Sequence, residues 1–279
     1  MKDSTVLPDL RMFCTADFVP HEDFDPRRID RLSQRIIEEG ILKNPPVVAE
    51  IPGTQLYVVL DGANRVIAFK ELGIPHIVAQ LVGYVEPAVL LDTWYHVVSG
   101  MSLHDFETAL TQMGGMQLEE CTLGEARQAL ARNQAIAYIV CESGVRKVLL
   151  PNGERRTGDL RLLGDLVGVY MGRADIFRAS NDIWEIQKPY YPDITALVIF
   201  ARCHPEDILH AAVNGYRVPS GITRHIISNR ALNINIPLGV LQSNWTLERK
   251  REWLHEWLMA RMAANAIRFY AESTFSFNE

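Results

Sequence analysis

Apolar positions change their spacing along the chain, and each change predicts an element. Leu10 to Phe18 mixes apolar and polar residues and predicts a short strand. After "HEDFDP", Ile29, Leu32, Ile36 and Ile37 recur at helical spacing, with Asp25 placed to cap, Pro26 in the first turn and Gly40 at the C-terminus. "NPPVVAEI" restarts the chain in extended form, because Asn44 and Pro45 each precede a proline. Val47, Val48 and Ile51 predict a strand, "PGTQ" a turn and "LYVVL" a returning strand. A helix over Val66–Leu72 stops at Gly73, and "HIVAQLV" reads as a third strand. Alternation of this kind over residues 10–85 predicts a small α/β or α+β unit.

Helical spacing dominates farther on. "LHDFETALTQMGGMQLEEC" reads as a helix ending in the Gly114-Gly115 pair, and "TLGEARQALARNQAIAYIV" as a helix running into a strand. "VRKVLLPNGERRTGDLRLL" carries the signature of a β-hairpin turning at Pro151-Asn152-Gly153. A long helix is expected over Thr246–Glu272. Leu247, Leu254, Leu258 and Met262 share one face of it beside Trp253 and Trp257, a face that either packs on the core or forms a dimer seam. A boundary near residues 100–115 divides the chain into units 1–105 and 106–279.

Composition narrows the classes. The chain has 279 residues, and 48% of them are hydrophobic, enough to bury a sizeable core. A net charge of −6 argues against a broad electrostatic grip on nucleic acid. Arg146, Lys147, Arg155, Arg156 and Arg161 form the best local basic patch, which a solvated hairpin explains as well. Four cysteines without a Cys-x-x-Cys argue against a zinc knuckle or a disulfide scaffold and suit a reducing cytoplasm. Charges interrupt every hydrophobic run, so no membrane span is expected.

Three clusters could carry chemistry. The strand "YVVL" runs without a loop into Asp61-Gly62-Ala63-Asn64-Arg65 at the mouth of a helix. A helix N-terminus offers unpaired N–H groups and a positive dipole end to an anion, and the plainer alternative is a tight turn with a cap. Neither the P-loop nor the Gly-x-Gly-x-x-Gly pattern is present. "HEDFD" places His21, Glu22, Asp23 and Asp25 ahead of a helix, as an acid site or a solvated cap. "TWYH", Thr93 to His96, sets an aromatic among hydrogen-bonding groups that could wall a small polar ligand, or simply join the core.

Together, "HEDFDPRRIDRLSQRIIEEGILKNPPVVAE" and "YVVLDGANRVIAFKELGIPHIVAQLV" resemble the ParB/sulfiredoxin-like fold. That resemblance implies an α+β protein: a ParB/sulfiredoxin-like N-terminal domain, then a mixed α/β C-terminal domain ending in a long helix. With "TWYHVV" and "VPSGITRHIISNRALNINIPL" added, the chain resembles the free-serine kinases of this fold, over most of residues 10–100 and a patch near 218–238. The kinase resemblance implies transfer of a phosphoryl group from ATP or ADP to L-serine, giving O-phospho-L-serine. Some relatives of this kind feed phosphoserine to siderophore or cysteine synthesis.

Position by position, the resemblance implies Glu22 as the catalytic base and Gly62, Ala63, Asn64 and Arg65 as the phosphate loop. Asp61 would hold Mg²⁺ and phosphate. Trp94 and His96 would wall the serine site, and Thr223, Arg224 and His225 would reach it from the second domain. Sulfiredoxins need a loop cysteine where this chain has Ala63-Asn64, so the thiolate chemistry is excluded. The ParB relationship keeps a nucleotide-responsive DNA-binding regulator as the rival reading, although no convincing helix-turn-helix is found. A nuclease of the same fold is a lesser third.

Overall fold

The computed structural model describes residues 7–113, 116–150 and 160–270. The first unit opens with β1 (Asp9–Cys14), β2 (Phe18–Pro20) and α1 (Pro26–Glu39). Asp25 caps α1 by accepting from the Arg27 N–H at 2.9 Å, and Gly40 closes it at φ +63°, a conformation open to a residue without Cβ. Of the four helical positions, Ile29 and Ile36 are buried, whereas Ile37 is 55% exposed, because it lies one residue around from the face that packs on the sheet.

β3 (Ile41–Leu42), β4 (Val47–Glu50), β5 (Tyr57–Asp61), α2 (Ala63–Glu71) and β6 (His76–Leu81) follow. Five strands form one mixed sheet in the order β1-β6-β4-β5-β2, with β2 parallel to β5 and β4 parallel to β6. Val47, Val48, Val58, Val59, Ile77 and Val78 are all but inaccessible to solvent. α2 starts three residues earlier than the apolar pattern predicts, because Gly62 at φ +86° turns the chain straight from β5 into the helix.

The chain then builds a second, wholly antiparallel sheet. β7 (Val89–Thr93) and β8 (Tyr95–Ser99) precede α3 (Leu103–Gln112), β9 (Gln117–Cys121) and α4 (Leu123–Ala131). β10 (Ala135–Cys141), β11 (Gly144–Leu149), α5 (Leu160–Gly168), β12 (Asp175–Ala179), α6 (Trp184–Gln187), β13 (Ile194–Phe200) and α7 (Pro205–Val213) complete it. The strand order is β12-β8-β13-β10-β11-β9. Thr122 and Glu125 form a reciprocal capping box that starts α4.

The hairpin expected around "VRKVLLPNGERR" needs correction. The turn at 151–153 and the Gly114-Gly115 pair lie outside the described residues. Among those described, β11 pairs with the preceding β10 through a turn at Glu142-Ser143, and Leu160–Gly168 is a helix. Leu160, Leu163, Leu166 and Val167 all point inward from it, a helical rather than alternating pattern.

The last segment returns to the first sheet. β14 (Thr223–Ile227) pairs with β7, and β15 (Ile236–Pro237) pairs with β3. α8 (Leu238–Gln242) and α9 (Leu247–Ala263) then pack on the first unit, so Ile234, Ile236, Leu238, Leu241 and Leu254 share one core with Met12, Phe69 and Ile77. α9 ends at Ala263, short of the predicted Glu272, with Asn265 turning the chain at φ +51°. Its predicted face divides accordingly. Leu254 is 3% exposed and Leu247 and Leu258 pack beside it, while Met262 at the free end is 46% exposed.

Candidate active site

A cleft of about 1540 Å³ runs between the two sheets and is lined by the segments 21–25, 41–44, 59–65 and 220–227 together with Trp94, His96 and Arg178. It brings Glu22, the Asp61–Arg65 turn, Trp94, His96 and Thr223–His225 to one place. Sequence distance gave no clue to this. The 21–23 segment is laced to residue 218 by two backbone bonds, Val218 N–H to His21 O at 2.8 Å and Asp23 N–H to Val218 O at 2.9 Å. β14 in turn lies against β7 with Thr223 opposite Thr93 and Arg224 opposite Asp92.

Glu22 is held by its acceptor oxygens. Oε1 accepts from the Thr223 N–H at 3.2 Å and from the Thr223 hydroxyl, and Oε2 accepts from the Gly221 N–H at 3.4 Å. His21 lies behind this contact, 2% exposed, with Nδ1 at 2.6 Å from the Val59 carbonyl and Nε2 at 2.9 Å from the Thr223 hydroxyl. A carbonyl only accepts, so Nδ1 carries the proton, and the single proton of the Thr223 hydroxyl serves either Glu22 Oε1 or Nε2 of the neutral ring, one at a time. Burial pushes the His21 pKa down, partly offset by Glu22. Asp25 is committed to the α1 cap.

Asp61 ends β5 and meets two guanidiniums through Oδ2, Arg65 Nη2 at 2.8 Å and Arg230 Nη2 at 2.5 Å. Arg65 also donates to the Asn44 and Pro45 carbonyls at 2.5 and 3.2 Å, so it ties the phosphate-loop candidate to the 44–45 segment. Gly62 serves two purposes. Its positive φ makes the turn, and a Cβ there would fall 2.9 Å from Arg65 Nη2. Beyond it, Ala63, Asn64 and Arg65 of the first turn of α2 line the cleft, and a helix N-terminus carries unpaired N–H groups that favour an anion.

On the opposite wall, the Arg224 guanidinium stacks 4.1 Å from the centre of the Trp94 ring and approaches Asp92 at 3.8 Å. His96 lies beneath the 220–223 loop, 1% exposed. Its Nε2–H donates to the Gly221 carbonyl at 3.3 Å, and its Nδ1 accepts from the Tyr170 hydroxyl at 2.9 Å. Burial pushes its pKa down to about 4. His225 faces His21 edge-on at 5.1 Å and bonds the Tyr84 hydroxyl at 2.7 Å. Burial again holds its pKa well below the usual histidine value, and the His21 ring lowers it further.

Sequence reasoning missed two arginines and the group that positions one of them. Gln80, buried in β6, donates to the Asn229 carbonyl at 3.1 Å and accepts from the Ala231 N–H at 2.8 Å. That clamp aims Arg230 at Asp61. The Asn-rich run "SNRALNIN", with Asn229, Asn233 and Asn235 at positive φ, was the available signal for a shaped loop there. Arg178 on β12 had no local signal.

The basic patch is largely neutralised among the described residues. Arg146 pairs with Glu107 at 2.8 Å and Lys147 with Glu119 at 2.9 Å, while Arg161 stacks on Tyr216. Arg155 and Arg156 lie outside the described residues. No described helix is long and apolar enough to cross a membrane.

No family model matches the chain. An ATP-dependent L-serine kinase from Desulfurococcus mucosus is 33% identical over 235 residues, 80% of this chain and 88% of that protein. An ATP-dependent L-serine kinase from Staphylothermus marinus is 28% identical over 237 residues, with the same coverage of both. Among solved structures, SbnI with a C-terminal truncation from Staphylococcus aureus superposes with a TM-score of 0.73 at 22% identity, covering 91% of this chain and 97% of that one. A free serine kinase in complex with AMP gives 0.70 at 19% identity, covering 86% and 98%. The α+β fold and these relatives define an enzyme of the phosphotransferase class. More narrowly, the chain belongs to the family of free L-serine kinases.

Proposed function

We propose that this chain transfers the terminal phosphoryl group of ATP or ADP to the hydroxyl of free L-serine, and that the fold is of the ParB/sulfiredoxin-like type, with residues 1–105 as the nucleotide-binding catalytic domain and 106–279 contributing to the substrate site. The observation that carries the reading is the placement of a fixed carboxylate, Glu22, in the same cleft as the Asp61–Arg65 turn. Serine oxygen is a weak nucleophile until its proton is accepted as it attacks. A carboxylate locked by Thr223 and Gly221 gives that base at no reorganisation cost.

In this reading the serine Oγ attacks the terminal phosphorus, the bond to the bridging oxygen breaks, and Glu22 takes the proton. The first-turn N–H groups of α2 and the Arg65–Asp61–Arg230 cluster orient the phosphates. Trp94 and Arg224 wall the amino acid, and Thr223 acts through Glu22. His96 and His225 support the loop and strand that carry these groups.

Among the described residues no three His, Cys, Asp or Glu side chains converge as a metal cage. Mg²⁺ typically keeps its waters and rides on nucleotide phosphates with one or two carboxylates. Asp61 fits that limited role through Oδ1, since Oδ2 faces both arginines. Bound there, the ion would neutralise charge on the transferring group. The test is direct: purified protein, L-serine, Mg²⁺ and either nucleotide, with O-phosphoserine measured. A folded sample that makes none with any common donor would end the proposal.

A further inference from the structure

Six arginines line the cleft, and five of them meet a carboxylate within 4 Å: Arg28 with Asp25, Arg35 with Glu39, Arg65 and Arg230 with Asp61, and Arg224 with Asp92. The sixth, Arg178, has no acidic partner for its guanidinium among the described residues and remains exposed at the cleft. It stands on β12, the edge strand of the second sheet, directly opposite His96 on β8. We propose that Arg178 binds the α-carboxylate of the amino-acid substrate and so sets the specificity of the site for a free amino acid. This rests on the kinase reading above.

The geometry supports that assignment over a phosphate contact. Arg178 lies against Gly221, where a Cβ would fall 2.9 Å from Nε and 3.0 Å from Nη2. A side chain at Gly221 would therefore displace the guanidinium, besides straining a backbone at φ +87°. The Gly221 N–H is itself 3.4 Å from Glu22 Oε2. By way of Gly221, Arg178 is thus within about 9 Å of the base. A serine zwitterion with one hydrogen bond at its hydroxyl and one at its carboxylate spans about the same length. The phosphate-side cluster belongs to the first sheet, at Asp61, whereas Arg178 comes from the second. A planar fork with two parallel N–H donors matches a carboxylate, and Arg178 is exposed where it lines the cleft.

The experiment compares wild type, Arg178→Gln and Arg178→Lys with L-serine and with L-serinamide, which lacks the carboxylate. Nucleotide affinity and L-serine binding are followed by calorimetry, with circular dichroism to confirm folding. The expected result is a KM for L-serine raised at least tenfold in Arg178→Gln, with kcat and nucleotide affinity within twofold, and a preference for serine over serinamide that nearly disappears. Arg178→Lys should recover part of both. An unchanged KM, a fall in kcat at constant KM, or a wild type with no preference for serine over serinamide would each overturn the assignment. A wild type that binds serine through Arg178 yet forms no phosphoserine would remove the kinase reading and leave this one. Turnover of serine indifferent to Arg178 would do the reverse.

Discussion

Thr223 holds Glu22 by two donors on one oxygen, its own N–H at 3.2 Å and its hydroxyl. A carboxylate fixed in this way keeps its other oxygen, Oε2, turned along the Gly221 N–H at the cleft wall. Glu22→Gln preserves the shape and removes proton acceptance. Phosphoserine formation should fall about 10²–10⁴-fold with nucleotide affinity unchanged. Asp25→Asn is the matched control, because Asp25 caps α1 and should change stability by under about 1 kcal/mol. An active Glu22→Gln enzyme beside an inactive Asp23→Asn one would move the base to Asp23.

Arg65→Ala has a double consequence that the sequence did not suggest. The guanidinium bridges Asp61 to the Asn44 and Pro45 carbonyls, so its loss should weaken nucleotide binding and also lower stability by about 1.5–3 kcal/mol. Arg65→Lys should restore little, since one ammonium cannot serve three acceptors in a fork. Calorimetry and denaturant unfolding on the same samples separate the two effects. Lost stability with unchanged nucleotide affinity would make Arg65 a strut and leave the phosphates to the α2 N–H groups and Arg230.

What was legible in the sequence is what local chemistry decides. The Asp25 cap, the Gly40 stop and the Asp61-Gly62 turn each depend on neighbours within a few residues, and each stands where the pattern put it. The expected hairpin failed because a strong turn tripeptide outweighed the helical spacing of Leu160, Leu163 and Leu166. Arg178, Arg230 and Gln80 escaped notice because their roles come from strand pairings between distant segments. A propensity or a motif carries no record of such pairings.

α9 offers a test of whether its apolar face serves the core or another surface. Leu254 shares the core of the first sheet, so Leu254→Ala should cost about 2–5 kcal/mol in denaturant unfolding. Met262→Ala, at the exposed end, should stay within about 0.5 kcal/mol. A large and concentration-dependent loss for Met262→Ala would instead identify that end as a seam between two copies of the chain.

Acid should lower the stability of the fold through its buried histidines, and His96 gives the clearest reading. Its folded pKa is about 4, held down by burial, against 6.5 for the free side chain. The unfolded chain therefore binds the proton more readily between those values, and the stability contributed by keeping the ring neutral is complete above pH 6.5 and lost as pH falls toward 4. The whole shift corresponds to about 3 kcal/mol, of which about 2 kcal/mol should disappear between pH 7 and pH 5. His21 and His225 are shifted in the same direction, so the wild-type slope exceeds that of one ring. His96→Gln retains an amide that can donate to the Gly221 carbonyl but cannot titrate. Whatever it costs at pH 7, its unfolding free energy should decline less steeply toward pH 5 than wild type, by about that 2 kcal/mol. Parallel slopes for the two proteins would show that His96 is protonated without opening the loop, and would detach the acid sensitivity of the fold from the Gly221 wall.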